Sequence, residues 1–189
     1  MKGTEKDGWG VRATESVSFC DSYPMCTLVL GLGNPILRDD GVGWRVIQEI
    51  QNQMAKRPSV AAQVELEQFP LGGLSLMERL VGYDRAVLVD AIQTPNGIPG
   101  ALYRLTLDDL PTLHANSVHD ASLKAALELG RQLGAKLPAR IVIYAIEVVN
   151  VLDFGEELSP QVAASVGAAA QAVLAEIEPR LLGEPSQRV

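Results

Sequence analysis

The residues best suited to chemistry in this chain are acids placed just after apolar runs. Asp39 and Asp40 close the stretch GLGNPILRDDGVG (31–43), which opens like a nucleotide-binding turn and then puts two carboxylates where a phosphate would be repelled. Asp90 ends the run RAVLVD, Glu147 ends VIYAIE, and His119 sits in NSVHDASL. Two carboxylates and an imidazole make a mixed oxygen and nitrogen donor set, suited to a borderline divalent metal with open coordination positions, provided the fold brings them together. Each also has a plainer use. An aspartate just before a helix fits an N-cap, and Ser117 to Asp120 fits an S-x-x-D helix start that would make His119 part of a cap. Asp90 is the hardest to dismiss, because an acid closing an apolar central strand must be paired, solvated in a cleft or bound to a cation.

A frame that gathers these residues is legible in the hydrophobic pattern. From Cys26 onward, short apolar runs alternate with longer stretches of helical spacing, the signature of an α/β fold with a mostly parallel sheet. Strands are expected at Thr27 to Leu30, Gln63 to Phe69, Arg85 to Ala91, Ala101 to Thr106 (an edge) and Arg140 to Val148. Helices are expected from about Gly43 to Ala55, after Gly72 and Gly73 through Leu80, from Ala121 to Leu133, and from Pro160 to Ile177. The fold class is therefore α/β in three layers, a mostly parallel central sheet of about five strands with helices on both faces. In such a sheet ligands bind outside the carboxyl ends of the strands. Asp40, Asp90 and Glu147 all follow strands at that edge, and His119 joins them if the preceding strand is antiparallel.

Composition narrows the function. A length of 189 residues suits one domain. Sixteen basic against 23 acidic side chains give a net charge of -7, with no basic block to neutralise a phosphate backbone, so nucleic acid is an unfavourable partner. No apolar run approaches the roughly 20 residues of a membrane span. Cys20 and Cys26, the only cysteines, are too few for a disulfide framework and wrongly spaced for a CxxC pair, so ordinary thiols and a cytoplasmic location are expected. Residues 1–24 lack both a sustained period and the pattern of a signal peptide. They read as a flexible extension, which a start codon assigned upstream of Met25 would also explain. The domain is expected over 25–181, followed by a tail, 182–189.

Covalent catalysis finds no support: there is no G-x-S-x-G elbow, and neither cysteine has a local histidine. A dinucleotide site would need G-x-G-x-x-G, but Ile36 holds the third glycine's place. The words VLGLGNP also resemble the opening of peptidyl-tRNA hydrolases, yet the chain continues ILRDDGVG without that family's catalytic run.

A fuller match exists. LVLGLGNPILRDDGVG, LGGLSLMERLVGYDRAVLVDAI, GIPGALYRL, SVHDASL and ELSPQVAASV resemble, in order and spacing, the hydrogenase maturation proteases, from about Cys26 to Ile177. That resemblance implies an aspartyl-type endopeptidase that trims the carboxyl-terminal peptide from a [NiFe] hydrogenase large-subunit precursor once nickel is inserted. It puts the family's two acidic ligands on Asp40 and Asp90 and its histidine on His119, as both metal-reading and catalytic residues. Asp40 near a helix start would be favoured as an anion by the helix dipole. Gly31 and Gly33 would permit the sharp departure from the strand, and Gly41 and Gly43 would leave room for the incoming peptide. Nickel would arrive with the precursor, and no tightly bound cofactor of the protein's own is expected. It could polarise the scissile carbonyl, or serve for recognition while an aspartate activates water. Glu147 is not needed by that ligand set and reads as a cleft or rim residue. The protein is expected to be a monomer. The competing readings are a non-catalytic nickel carrier or checkpoint protein for the same precursor, and a peptidyl-tRNA hydrolase-like esterase.

Overall fold

Three runs too apolar to face water form the middle of the sheet. In the computed structural model, which describes residues 26–55, 64–109 and 120–181, these are β1 (Thr27–Leu32), β3 (Arg85–Ile92) and β5 (Arg140–Glu147). All residues of β1 and β3 are buried, as both-face coverage of parallel strands requires. The edges are β2 (Val64–Phe69) and β4 (Leu102–Leu105), giving the order β2-β1-β3-β5-β4 with only β4 antiparallel.

Alternation along the strands divides the core. Val29, Val87, Val89 and Val142 meet α1 (Val42–Met54) and α4 (Pro160–Leu181) on one face. Leu28, Leu30, Leu88 and Ile143 meet α2 (Gly73–Leu80) and α3 (Asp120–Gln132) on the other. The three-layer expectation holds, with element ends shifted by one to four residues. The longest shift carries α4 to Leu181, past Ile177. Residues 1–24 and 182–189, the expected extension and tail, lie outside the described residues.

One expectation fails at the start of β1. Cys26 is buried and disulfide-bonded, not an ordinary thiol, while Cys20, the only other cysteine, lies outside the described residues. The thiol argument for a cytoplasmic location therefore falls away.

On the edge strand β2, Glu65 and Glu67 receive Arg79 from α2, and Tyr83 joins them by donating to Glu65 and accepting from Arg79. Burial, reinforced by the bond to Glu65, pushes the Tyr83 phenol up to about 12. A phenol raised above its unfolded value stabilises the fold fully below about pH 10, and that contribution is lost as pH climbs through about 12. The gap in melting temperature between the protein and Tyr83→Phe is thus expected to be present at pH 9 and to shrink steadily above pH 10. A constant gap across that range would refute the linkage.

Candidate functional site

The chain leaves β1 through Gly33, whose φ of 107° is a conformation that favours glycine. It then makes a short 3-10 turn, Arg38–Gly41, absent from the expectations, which runs directly into α1. That turn carries both aspartates. Neither acts as an N-cap: Gly41 takes the position, with no side-chain bond to the helix. The Asp40 carboxylate instead accepts the Asn34 amide at 2.6 Å, tying it back to the exit of β1. A Cβ on Gly33 would fall 1.9 Å from the Asp40 carbonyl oxygen, so the strand exit and the Asp40 backbone are packed directly together.

Asp39, its neighbour, has no exposed surface and a different task. One carboxylate oxygen accepts the amides of Val149 and Asn150 at 3.2 and 3.0 Å and the Ser159 hydroxyl at 2.8 Å; the other accepts the Ser159 amide at 2.6 Å. A buried anion with four donors is satisfied. It clamps the segment after β5, up to the start of α4, onto the turn that holds Asp40. Sequence reasoning missed this clamp, because nothing local to Asp39 points to donors 110 to 120 residues away.

Asp90 lies where expected, at the carboxyl end of β3 and only 4% exposed. One of its oxygens accepts the following amide, of Ala91, at 2.9 Å. Strands β1 and β3 are adjacent and parallel with Gly31 opposite Val89, so one step on Asp90 is level with Leu32, the last residue of β1. Val89 and Ala91 belong to the α1 and α4 face, which turns Asp90 toward the α2 and α3 face. Helix α3 leads from Asp120 down to the start of β5, so its first residue belongs to the carboxyl edge of the sheet. His119 precedes it in sequence and lies outside the described residues. Among the described residues no three His, Cys, Asp or Glu side chains form a group able to hold a metal ion.

Glu147, expected as a cleft or rim residue, does not lie on a rim. It is 3% exposed, and its carboxylate accepts the amide and hydroxyl of Thr94 at 2.7 and 2.8 Å. A Cβ on Gly97 would lie 2.0 Å from its carboxyl carbon. Glu147 therefore shapes the loop after β3 from within.

The glycines also need correction. Gly31 belongs to β1 rather than to a turn, and a Cβ there would meet the Gly43 carbonyl oxygen at 2.3 Å. Gly43 in turn faces the carbonyl oxygens of Leu32 and Val89, each 2.5 Å from its Cβ position. Gly41 is filled in the same way by Pro35. The space these glycines provide is taken by the protein's own backbone, and only Gly33 performs the turn.

A sequence profile described as hydrogenase maturation protease matches residues 44–176, well over half of the chain. The chain belongs to the hydrogenase maturation protease family. Membership makes it a peptidase, a hydrolase of peptide bonds. Asp90 and His119 fall inside the matched span, and Asp40 falls just before it. The chain is 29% identical over 139 residues to the hydrogenase expression/formation protein HupD of Thiocapsa roseopersicina, covering 71% of this chain but only 60% of that protein's length. It is 27% identical over 153 residues to the hydrogenase 2 maturation protease of Escherichia coli K12, covering 80% of this chain and 90% of the relative. The solved hydrogenase maturating endopeptidase HybD of E. coli superposes with a TM-score of 0.66 at 25% identity, over 82% of this chain and 94% of that one. The 3-10 turn that carries Asp40 packs against β3, the strand that carries Asp90. No helix among the described residues is long and apolar enough to cross a membrane.

Proposed function

We propose that this protein is the endopeptidase that removes the carboxyl-terminal peptide of a [NiFe] hydrogenase large-subunit precursor after nickel insertion. The observation that carries the reading is Asp90, a carboxylate 4% exposed at the end of a wholly buried strand, level with the exit of β1 that leads to Asp40. Its carboxylate lies at the carboxyl edge of the parallel strands, where such sheets bind their ligands. Nickel enters as part of the substrate. The donors offered to it are the Asp40 and Asp90 carboxylates with the His119 imidazole, an oxygen and nitrogen set that leaves positions for groups of the precursor. The protein's own task is then to orient the scissile peptide and exclude bulk water. Asp40 or Asp90 accepts the proton as water adds to the carbonyl, the carbon–nitrogen bond breaks, and the leaving amine takes up a proton. A monomer acting in the cytoplasm, where the precursor is made, completes the reading.

Intact mass of a nickel-loaded precursor, incubated with and without the protein beside a nickel-free control, is the decisive experiment. Loss of a carboxyl-terminal peptide from the loaded form alone is expected. Binding without any mass change, for a precursor that another maturation protease can trim, would sink the endopeptidase reading in favour of a nickel checkpoint protein.

A further inference from the structure

The segment clamped by Asp39 carries surface that the fold does not use. Leu152 is 84% exposed and Phe154 80%, and both follow the half-exposed Val149 within six positions. Isolated apolar side chains on a surface need no explanation, but large ones concentrated on one short ordered loop mark an interaction site. This loop is held at many points. Besides the four bonds to Asp39, the Asn150 side chain accepts the Leu152 and Asp153 amides at 3.2 and 3.1 Å. Its amide nitrogen donates to Asp153 at 2.8 Å. The Arg38 amide donates to the Gly155 carbonyl at 2.7 Å, and the Gly155 amide donates to the Ile36 carbonyl at 2.9 Å. Arg45 of α1 reaches the Glu156 carbonyl at 2.9 Å. Ile36, joined to Gly155 by that bond, is itself half exposed and adds to the apolar surface. Two large apolar side chains are thus displayed on a backbone already ordered, so little conformational entropy remains to be lost on docking.

We propose that residues 149–154 are a preformed docking element for the folded precursor and that Asp39 is the positioning residue that holds it beside Asp40. The proposal rests on the endopeptidase reading for the identity of the partner. Two features select the occupant. The loop is bonded to the same 3-10 turn that carries Asp40, so whatever covers Leu152 and Phe154 lies next to the peptide presented at the carboxyl edge. The apolar tip is also flanked by exposed Asp153, Glu156 and Glu157, which complements an apolar patch rimmed by lysine or arginine on the precursor. Asp39 touches no substrate. Its carboxylate acts through the loop, because Asp40 keeps its own bond to Asn34.

The test is the affinity of the purified protein for a nickel-loaded large-subunit precursor, read by biolayer interferometry, with cleavage followed in parallel by mass. Leu152→Ser and Phe154→Ser remove side chains the monomer scarcely buries, so the melting temperature should stay unchanged. The dissociation constant and KM should rise about tenfold each, with kcat retained. Glu156→Gln combined with Glu157→Gln should flatten the salt dependence of binding. Asp39→Asn should raise KM well beyond its effect on kcat, since it weakens the bonds that seat Val149, Asn150 and Ser159 while Asp40 keeps its own bond to Asn34. Unchanged affinity in both apolar variants would overturn the proposal even where cleavage is intact. So would an unchanged KM accompanied by conversion of a dimer to a monomer, which would assign the loop to a second copy of the chain. A wild-type protein that binds the precursor without cutting it would defeat the endopeptidase reading alone, and the variants' affinities would still decide the loop.

Discussion

Asp90→Asn is expected to lower precursor cleavage at least about a hundredfold while leaving the fold intact. The substitution is nearly isosteric, and an asparagine side-chain oxygen can still accept the Ala91 amide now held at 2.9 Å. What it removes is the negative charge and the proton-accepting power of a carboxylate buried at the end of β3. Both roles proposed for Asp90, holding the substrate's nickel and activating water, require the anion, so either mechanism predicts the loss. Circular dichroism and thermal melting should match the parent protein, and the mass of the nickel-loaded precursor should remain unprocessed. Parent-like turnover in a correctly folded Asp90→Asn protein would remove this residue from the site and with it the observation on which the proposed function stands.

The largest loss of stability is expected from Gly43→Ala, a single methyl group. Its Cβ would lie 2.5 Å from the carbonyl oxygens of both Leu32 and Val89, and 2.9 Å from the Leu32 nitrogen. All three are backbone atoms of two central strands, which cannot move aside as a flexible side chain would. Helix α1 would have to lift off the sheet, at a cost of about 3 kcal/mol or more. For a protein of this size that corresponds to a fall in melting temperature of roughly 6 to 12 °C. Gly167→Ala is the matched control. Gly167 lies exposed in α4 with nothing within 4 Å of its Cβ position, and alanine there should raise stability by about 0.5 to 1 kcal/mol through helix propensity. Urea titration of the two variants would decide the matter: equal effects of the same sign would mean that close approach of α1 to β1 and β3 is not what glycine serves at position 43.

Position 43 also shows how far local reading reaches. The glycines around Asp40 stand out in the sequence, and the strand-to-helix passage they mark is real. Their assignment to turn-making and substrate space was wrong for three of the four, because a glycine's use depends on which backbone lies against it.

By itself the sequence determined the layered α/β fold, the position of each strand and helix to within a few residues, the placement of Asp90 near the end of a strand and that of Asp40 in the passage from a strand to a helix. These follow from hydrophobic period and from the cost of an acid in an apolar run, which are properties of neighbouring residues. The five ordered motifs likewise carry the family resemblance. Only the tertiary structure decided that Asp39 is a buried clamp rather than a cap, that Glu147 supports a loop from inside, that Cys26 is not a free thiol, and that Leu152 and Phe154 stand outward on a rigid loop. The physical reason is the same in each case. Hydrogen-bond partners, a disulfide and solvent exposure are set by atoms distant in the chain, and no local pattern around Asp39 encodes Ser159, 120 residues further on.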